Sequence, residues 1–129
     1  MSSLKNHIET KTAHIERNAD GIIIVRKKQD AFIELENAID NCAIHRELAN
    51  NVPRPCMIVM DEMQNTSPEA LEYYSLPEHE EYRSAEAFLI EQLGVRLIVD
   101  HYIKNSEMSY PRATFSTESE AMTWLSKYV

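Results

Sequence analysis

Glycine and cysteine are both scarce in this chain of 129 residues, with two of each. The glycine-rich phosphate loops, GxGxxG and the P-loop, need several closely spaced glycines, so Gly21 and Gly94 alone exclude nucleotide binding by either device. Cys42 and Cys56 are too far apart for a zinc knuckle or a CxxC redox pair. We interpret both as buried free thiols, because an unpaired cysteine behaves as a small apolar core residue.

Basic residues are also in short supply, because 13 Lys and Arg stand against 21 Asp and Glu and the formal net charge is -8. Nucleic acids and anionic membranes attract clustered basic side chains, so we expect no nucleic-acid partner and no membrane insertion. No apolar run approaches the roughly 20 residues of a spanning helix, and the N-terminus lacks the apolar segment of a secretory signal. We therefore expect a cytoplasmic protein.

Five histidines are present, but none has the HExxH or His-x-His spacing of a metal site. The sequence therefore predicts no metal site and no cofactor. The apolar fraction of 43% and the charged fraction of 26% are ordinary for a folded protein. The length suits one domain with its own core, so we predict a single domain over residues 1–129.

The first half of the chain has clear strand and helix signals. Asp20 and Gly21 lie between two strand-like runs, which predicts a hairpin of two antiparallel strands. Apolar residues then recur at helical spacing from Ile33 to Ala49, and Pro53 follows, so a helix should end near that point. The run "CMIVMDE" that comes next is typical of a buried strand.

The second half is less clear. A helix from about Ser67 is interrupted at Pro77, and pattern alone allows either a helix then a strand, or a strand then a helix, over residues 85–104. At the C-terminus, Pro111 begins a short strand, and Thr117 with Glu120 forms a capping box that opens a last helix. Strands and helices that alternate in this way predict an α/β or α+β domain.

Four segments carry a resemblance to a known family. They are "ADGIIIVRKK", "RPCMIVMDE", "QLGVRLIVDHYIKN" and "YPRATFSTESEAMTWL". Together they resemble the bacterial SpoIIAA-like proteins, described as STAS-like or STAS/SEC14-like, from about Ile15 to Leu125. The resemblance implies a mixed five-stranded sheet with helices packed mainly on one face. It also implies a strand over 85–91 and a helix over about 93–104, which leaves each pair of parallel strands a helical crossover.

The stretch "MDEMQNTSPEA" contains the candidate regulatory site. In STAS regulators the second helix begins with a phosphorylatable hydroxyl, and the resemblance places Ser67 and Thr66 there, with Asp61 as the acid that ends the preceding strand. The Asp-Ser-Ser-Gly pattern of those regulators is absent. Capping explains the same hydroxyls, because Thr66 with Glu69 fits a capping box and Ser67 before Pro68 fits a helix cap.

We predict a noncatalytic protein-interaction or regulatory module, with modification at Ser67 or Thr66 as its candidate switch. The predicted partner or ligand surface is formed by Asp61, Glu62, Asn65, Tyr73, Tyr74 and His101. The alternative is a carrier of a lipid or other apolar small molecule, because the resemblance extends to SEC14-like proteins and tyrosines and methionines are available to line a cavity. An enzyme using Asp61 has the least support. A homodimer is plausible because residues 95–103 supply more apolar surface than one helix face can bury.

Overall fold

A six-stranded mixed sheet forms the centre of the part of the chain that the computed structural model describes, which is residues 6–60, 66–105 and 108–129. The strands are β1 (His7–Glu9), β2 (Ala13–Arg17), β3 (Ile23–Lys27), β4 (Arg54–Val59), β5 (Arg83–Leu89) and β6 (Arg112–Phe115). The helices are α1 (Leu35–Ala49), α2 (Pro68–Tyr74), α3 (Leu93–Lys104) and α4 (Glu118–Leu125), with 3-10 turns at Pro77–Tyr82 and Ser126–Tyr128.

The strands lie side by side in the same order as they occur in the chain. β1, β2 and β3 are antiparallel, whereas β3, β4, β5 and β6 are parallel and are joined by helical crossovers. The predicted hairpin is confirmed as β2 and β3. Gly21 adopts φ +87 in its turn, a conformation that favours glycine, and the Asn18 side chain accepts hydrogen bonds from the Asp20 and Ile22 amides at 2.9 Å.

The sheet has one strand more than predicted, because β1 pairs with β2 at the edge of the hairpin. Three residues of mixed polarity carry no periodic signal, and backbone pairing alone defines this strand. The order of the ambiguous segment is confirmed as the strand β5 followed by the helix α3, as the resemblance implied. The mixed α/β architecture is also as predicted.

Each face of the sheet is covered by helices. One face packs against α1 through a cluster that includes Ile15, Ile23 and Cys56, and α3 packs on the same face through Phe88. α2 packs on α1 around Ala38. Of the described helices, α4 covers the opposite face, where its Ala121 and Leu125 pack with Ile24, Met57 and Ala87 of the sheet. The prediction that the helices lie mainly on one face is therefore correct.

Helix ends follow the capping signals in the sequence. Glu34 and Asn37 form a capping box at the start of α1, and Asn50 ends that helix in the left-handed conformation at φ 57. At the start of α4 the Thr117 hydroxyl accepts a hydrogen bond from the Glu120 amide at 3.2 Å, which confirms the predicted cap. These caps fix where each helix leaves the sheet, and so define the space between the sheet and its helices.

A bulge near the start of β5 changes which side chains face α1. Arg54 pairs with Arg83, but the next residue, Pro55, pairs with Ala85, so β5 contains one extra residue at this point. In a regular strand, residues three apart point to opposite faces. The bulge reverses the alternation and puts Arg83 on the same face as Glu86, where their side chains meet at 2.7 Å.

Candidate functional site

The predicted regulatory hydroxyls lie at the start of α2. Ser67 is the N-cap residue, and its Oγ accepts a hydrogen bond from the Ala70 amide at 3.1 Å, with Pro68 in the first helical position. The Ser67 residue is only 9% exposed. Thr66 is half-buried and forms an isolated bridge with Ile33, next to the sheet. Ser67 is therefore engaged as a helix cap, the second of the two roles considered from the sequence.

The other predicted surface residues are only partly described by the structure. Asp61, Glu62 and Asn65 lie outside the described residues. Tyr73 packs against the cluster between α1 and α2, and His101 is exposed on α3. The Tyr74 hydroxyl accepts a hydrogen bond from Asn41 Nδ2 at 3.3 Å, and burial raises the pKa of Tyr74 to about 12. Of these residues, Tyr74 contributes to the site that the structure contains.

That site is a cavity of about 110 Å³ between the sheet and the helices α1, α2 and α3. Its apolar lining comes from all three helices and from the strands β2 to β5. The side chains that form this lining include Ala13, Val25, Ile33, Cys42, Ile58, Val59, Met60, Leu71, Phe88 and Val99. Because protein interiors are close-packed and contain few voids larger than a water molecule, a cavity of this size is a distinct feature of the fold.

Three charged side chains form a buried cluster in the wall of the cavity. Glu86 accepts a hydrogen bond from Arg83 Nη1 at 2.7 Å on one oxygen and from Arg112 Nε at 2.8 Å on the other. None of the three side chains is more than 6% exposed. Burial opposes the charged form of Arg83, but Glu86 together with the neighbouring Cys56, Tyr110 and Cys42 outweighs it, so the pKa of Arg83 lies above its ordinary value. The Arg83 guanidinium therefore stays protonated.

Charged side chains contribute to the wall of the cavity beside the apolar ones. Those among the described lining residues are Lys27, Arg83, Glu86 and Arg112. Charged side chains are seldom buried in proteins, so their presence in the wall singles out the cavity.

Among the residues that the structure describes, two nitrogen atoms in the cavity wall have no hydrogen-bond partner, which is uncommon for buried polar groups. They are Arg83 Nε and His45 Nε2. His45 is only 1% exposed, and burial together with the charge of Arg83 holds its pKa well below the ordinary value, so the imidazole is neutral near pH 7. Each unsatisfied nitrogen could bind a polar atom of a ligand, because both residues line the cavity.

Other reactive chemistry has little support at this site. Burial raises the pKa of the Cys42 and Cys56 thiols, so both stay protonated and are poor nucleophiles near neutral pH. Both cysteines are free and buried, as the sequence indicated. Among the described residues, no three His, Cys, Asp or Glu side chains are grouped so as to hold a metal ion. In the same residues, none of the helices is both long and apolar enough to cross a membrane.

The charged cluster of Arg83, Glu86 and Arg112 was not predicted from the sequence. One signal was available, because Glu86 alternates with Phe88 and Ile90 on one face of a strand that was already considered. A carboxylate in such a row must find a buried partner. Its partners could not be identified, since Arg112 is 26 residues away and Arg83 reaches the same face only through the bulge.

Comparisons with known proteins identify a family and a fold. The model of a family described as a domain of unknown function, DUF7793, matches residues 15–129. A crystal structure of an uncharacterised DUF3478-family protein from Shewanella loihica PV-4, described as having a SpoIIAA-like fold, is similar, with a TM-score of 0.66 and 16% sequence identity. The similarity covers 97% of this chain and 98% of that one. No curated protein matches.

Proposed function

The chain belongs to the DUF7793 family and has a SpoIIAA-like, STAS-type fold, and we propose that it is a noncatalytic module that binds a small apolar molecule. The cavity between the sheet and α1, α2 and α3 carries this proposal. It combines a mostly apolar lining with a few convergent polar groups, which is the usual composition of a small-molecule site. The sequence offered the carrier as its alternative, and the cavity now makes it the better supported function.

The volume of the cavity limits the size of the ligand. An engineered apolar cavity of roughly 150 Å³ binds benzene, so the cavity of about 110 Å³ suits a body no larger than one small ring or a short branched chain. A lipid with two long acyl chains would need a much larger space, or a rearrangement of α2 and α3. We therefore favour a small molecule over the lipid that the SEC14 resemblance implied.

A substitution that fills the cavity tests this function. Val25 lines the cavity, whereas its neighbour Ile24 points to the opposite face of β3 and packs against α4. We expect the protein purified from the cells that naturally produce it to show a bound mass in native spectra that disappears on denaturation. Val25→Phe should lose that mass, and Ile24→Phe, the matched control, should keep it. A bound mass that survives in Val25→Phe would place the ligand elsewhere and refute the proposal.

Docking of another protein is the second candidate function, and the outer surface of α3 favours it. Leu93, Leu97 and Ile98 are 67%, 60% and 59% exposed. Scattered apolar side chains are normal on a surface, but three on one helix are typical of an interaction site. If α3 mediates a homodimer, light scattering should give twice the monomer mass for the wild-type protein, and Leu97→Glu should return it to a monomer. An unchanged mass in Leu97→Glu would exclude α3 from the interface.

Modification of Ser67 or Thr66 remains a prediction. A phosphoryl group on Ser67 would replace the bond to the Ala70 amide and would need more space than a residue that is 9% exposed provides. Such a change would open the start of α2, one wall of the cavity, and so would release a ligand. Mass mapping of the protein from its own cells tests this switch. An unmodified peptide containing both hydroxyls under all growth conditions would argue against it.

A further inference from the structure

We propose that the molecule held in the cavity is a small monoanion, a carboxylate or a similar group attached to a compact apolar body, and that Arg83 binds the anionic end. This inference rests on the proposed function and names the chemical class of its ligand. Three observations support it, which are the incomplete hydrogen bonding of the buried Arg83, the second unsatisfied nitrogen at His45, and the position of the charged groups relative to the apolar ones.

The state of Arg83 favours a negative group. Its side chain is 4% exposed and its Nη1 is held by Glu86, but its Nε has no hydrogen-bond partner among the described residues. A buried charge is unfavourable unless it is paired and hydrogen-bonded. A carboxylate would give the Nε hydrogen a charged acceptor, whereas an amide would give it only a neutral one.

The unsatisfied atoms provide the donors for such an anion. Arg83 Nε always carries a hydrogen, because arginine does not lose its proton in proteins, and it has no partner in the structure. His45 Nε2 is also without a partner, and a neutral imidazole carries a hydrogen on one of its nitrogens. Bonds from charged donors to a carboxylate are about twice as strong as neutral ones. Arg83 and His45 could therefore bind the anion together from one side of the cavity.

The cluster has no clear value for stability. A buried arrangement of two arginines and one glutamate is often replaced by apolar residues without loss, or with a gain, of stability. Here the chain also includes a bulge that brings Arg83 onto the face of Glu86. Bulges commonly re-aim side chains next to functional sites. The combination indicates that Arg83 is placed for binding rather than for folding.

The apolar lining defines the rest of the ligand. The apolar part of the cavity wall includes Ala13, Val25, Ile58 and Val99. Phe88, which also lines the cavity, lies two residues beyond Glu86 on β5. The ligand therefore has a charged end against Arg83 and a body of a few carbon atoms against these side chains. Long polar molecules such as sugars and nucleotides do not fit that combination.

Three probes of nearly the same shape test the charge requirement. Benzoate, benzamide and benzamidine differ mainly in charge, and isobutyrate with isobutyramide repeats the comparison with a smaller body. Binding is measured by calorimetry on the wild-type protein at pH 7.5. We expect each carboxylate to bind at least about tenfold more tightly than its amide. Benzamidine, which is cationic, should bind more weakly than benzoate and more weakly than benzamide.

Substitutions assign the effect to Arg83. Arg83→Met leaves Glu86 paired with Arg112, so the variant should fold, and it should weaken benzoate about tenfold or more while benzamide changes less than about twofold. Lys28→Met is the matched control, because Lys28 is paired with Glu9 and is not part of the cavity wall, and it should bind both probes as the wild type does.

The possible outcomes separate this inference from the proposed function. If the amides bind as tightly as the carboxylates, the cavity is a ligand site but the monoanion is wrong. If Arg83→Met lowers the affinities for benzoate and benzamide equally, Arg83 has only a structural role and the inference is also overturned. If no probe of either size binds at about 10 mM, both the inference and the proposed function are refuted.

Discussion

Replacing Glu86 with glutamine should destabilise the protein far more than replacing Arg83 with methionine, although both changes remove a charge from the same cluster. The glutamine keeps the shape of Glu86 but leaves Arg83 and Arg112 as two buried cations with no carboxylate between them. The methionine leaves one arginine paired with one glutamate. The difference therefore depends on the sign of the charge that remains, and not on the number of hydrogen bonds that are lost.

The magnitudes follow from the burial of the three side chains. Breaking a buried ion pair from one side costs about 3–5 kcal/mol, because a charge is left unpaired. We expect Glu86→Gln to lie in this range and to lower Tm by roughly 10–20 °C for a domain of this size. Arg83→Met also loses the contact of the guanidinium with the Tyr82 ring at 5.4 Å, which is worth about 0.5–2 kcal/mol. Its total cost should stay near that value.

Urea unfolding at pH 7.5 measures both variants against the wild type. Glu118→Gln is the matched control, because Glu118 forms an exposed pair with Arg26 at 3.0 Å and its side chain is 51% exposed. The control should change the free energy of unfolding by no more than about 1 kcal/mol. Equal losses for Glu86→Gln and Arg83→Met would refute the charge argument. A loss below about 1 kcal/mol for Glu86→Gln would mean that water already solvates the arginines.

Three further measurements test the cavity, a buried histidine and the cap of α2. Val25→Phe should cost less than about 1 kcal/mol in free energy of unfolding, because the cavity accommodates the ring. Ile24→Phe should cost about 1–3 kcal/mol, because the ring overpacks the opposite face of the sheet. The reverse order would refute the assignment of the two side chains to opposite faces. The lowered pKa of His45 means that the unfolded chain binds more protons below its ordinary pKa of 6.5, so stability should fall as the pH decreases, by about 1.4 kcal/mol at pH 5.5. His45→Gln should reduce this fall in stability. If the variant loses as much stability as the wild type between pH 7.5 and pH 5.5, His45 is not its cause. Ser67→Ala should cost about 1 kcal/mol by removing the bond to the Ala70 amide, and Ser67→Asp, which also caps helices, should cost less.

Much of the fold could be predicted because local signals and tertiary structure agree in most segments. Gly21 lies in the predicted hairpin turn, and Thr117 caps the predicted last helix. The order of β5 and α3 could not be derived from periodicity, since both segments are rich in apolar residues, and only the resemblance resolved it. The edge strand β1 was missed because its three residues are held by pairing with β2 rather than by their own pattern.

The candidate site was harder to predict than the fold. The sequence predicted a site at Ser67 and Asp61, where a hydroxyl and an acid follow an apolar strand. In the structure Ser67 is a helix cap, and Asp61 lies outside the described residues. The charged cluster depends on long-range pairing and on a bulge, and neither leaves a periodic trace in the sequence. Sites that are assembled from distant strands and helices need the tertiary structure for their discovery.

The agreement between the order of the strands in the sheet and their order in the chain has a consequence for folding kinetics. Each described strand pairs only with its immediate predecessor and successor, so no strand has to wait for a distant segment before it can join the sheet. Pairing between strands that follow one another in the chain keeps the contact order lower than pairing between more distant strands would. A ribosome that releases the chain from its N-terminus would present β1, β2 and β3 first and add β4, β5 and β6 in turn. The sheet can therefore grow from one edge during synthesis, with the arginine cluster completed only when β6 pairs with β5.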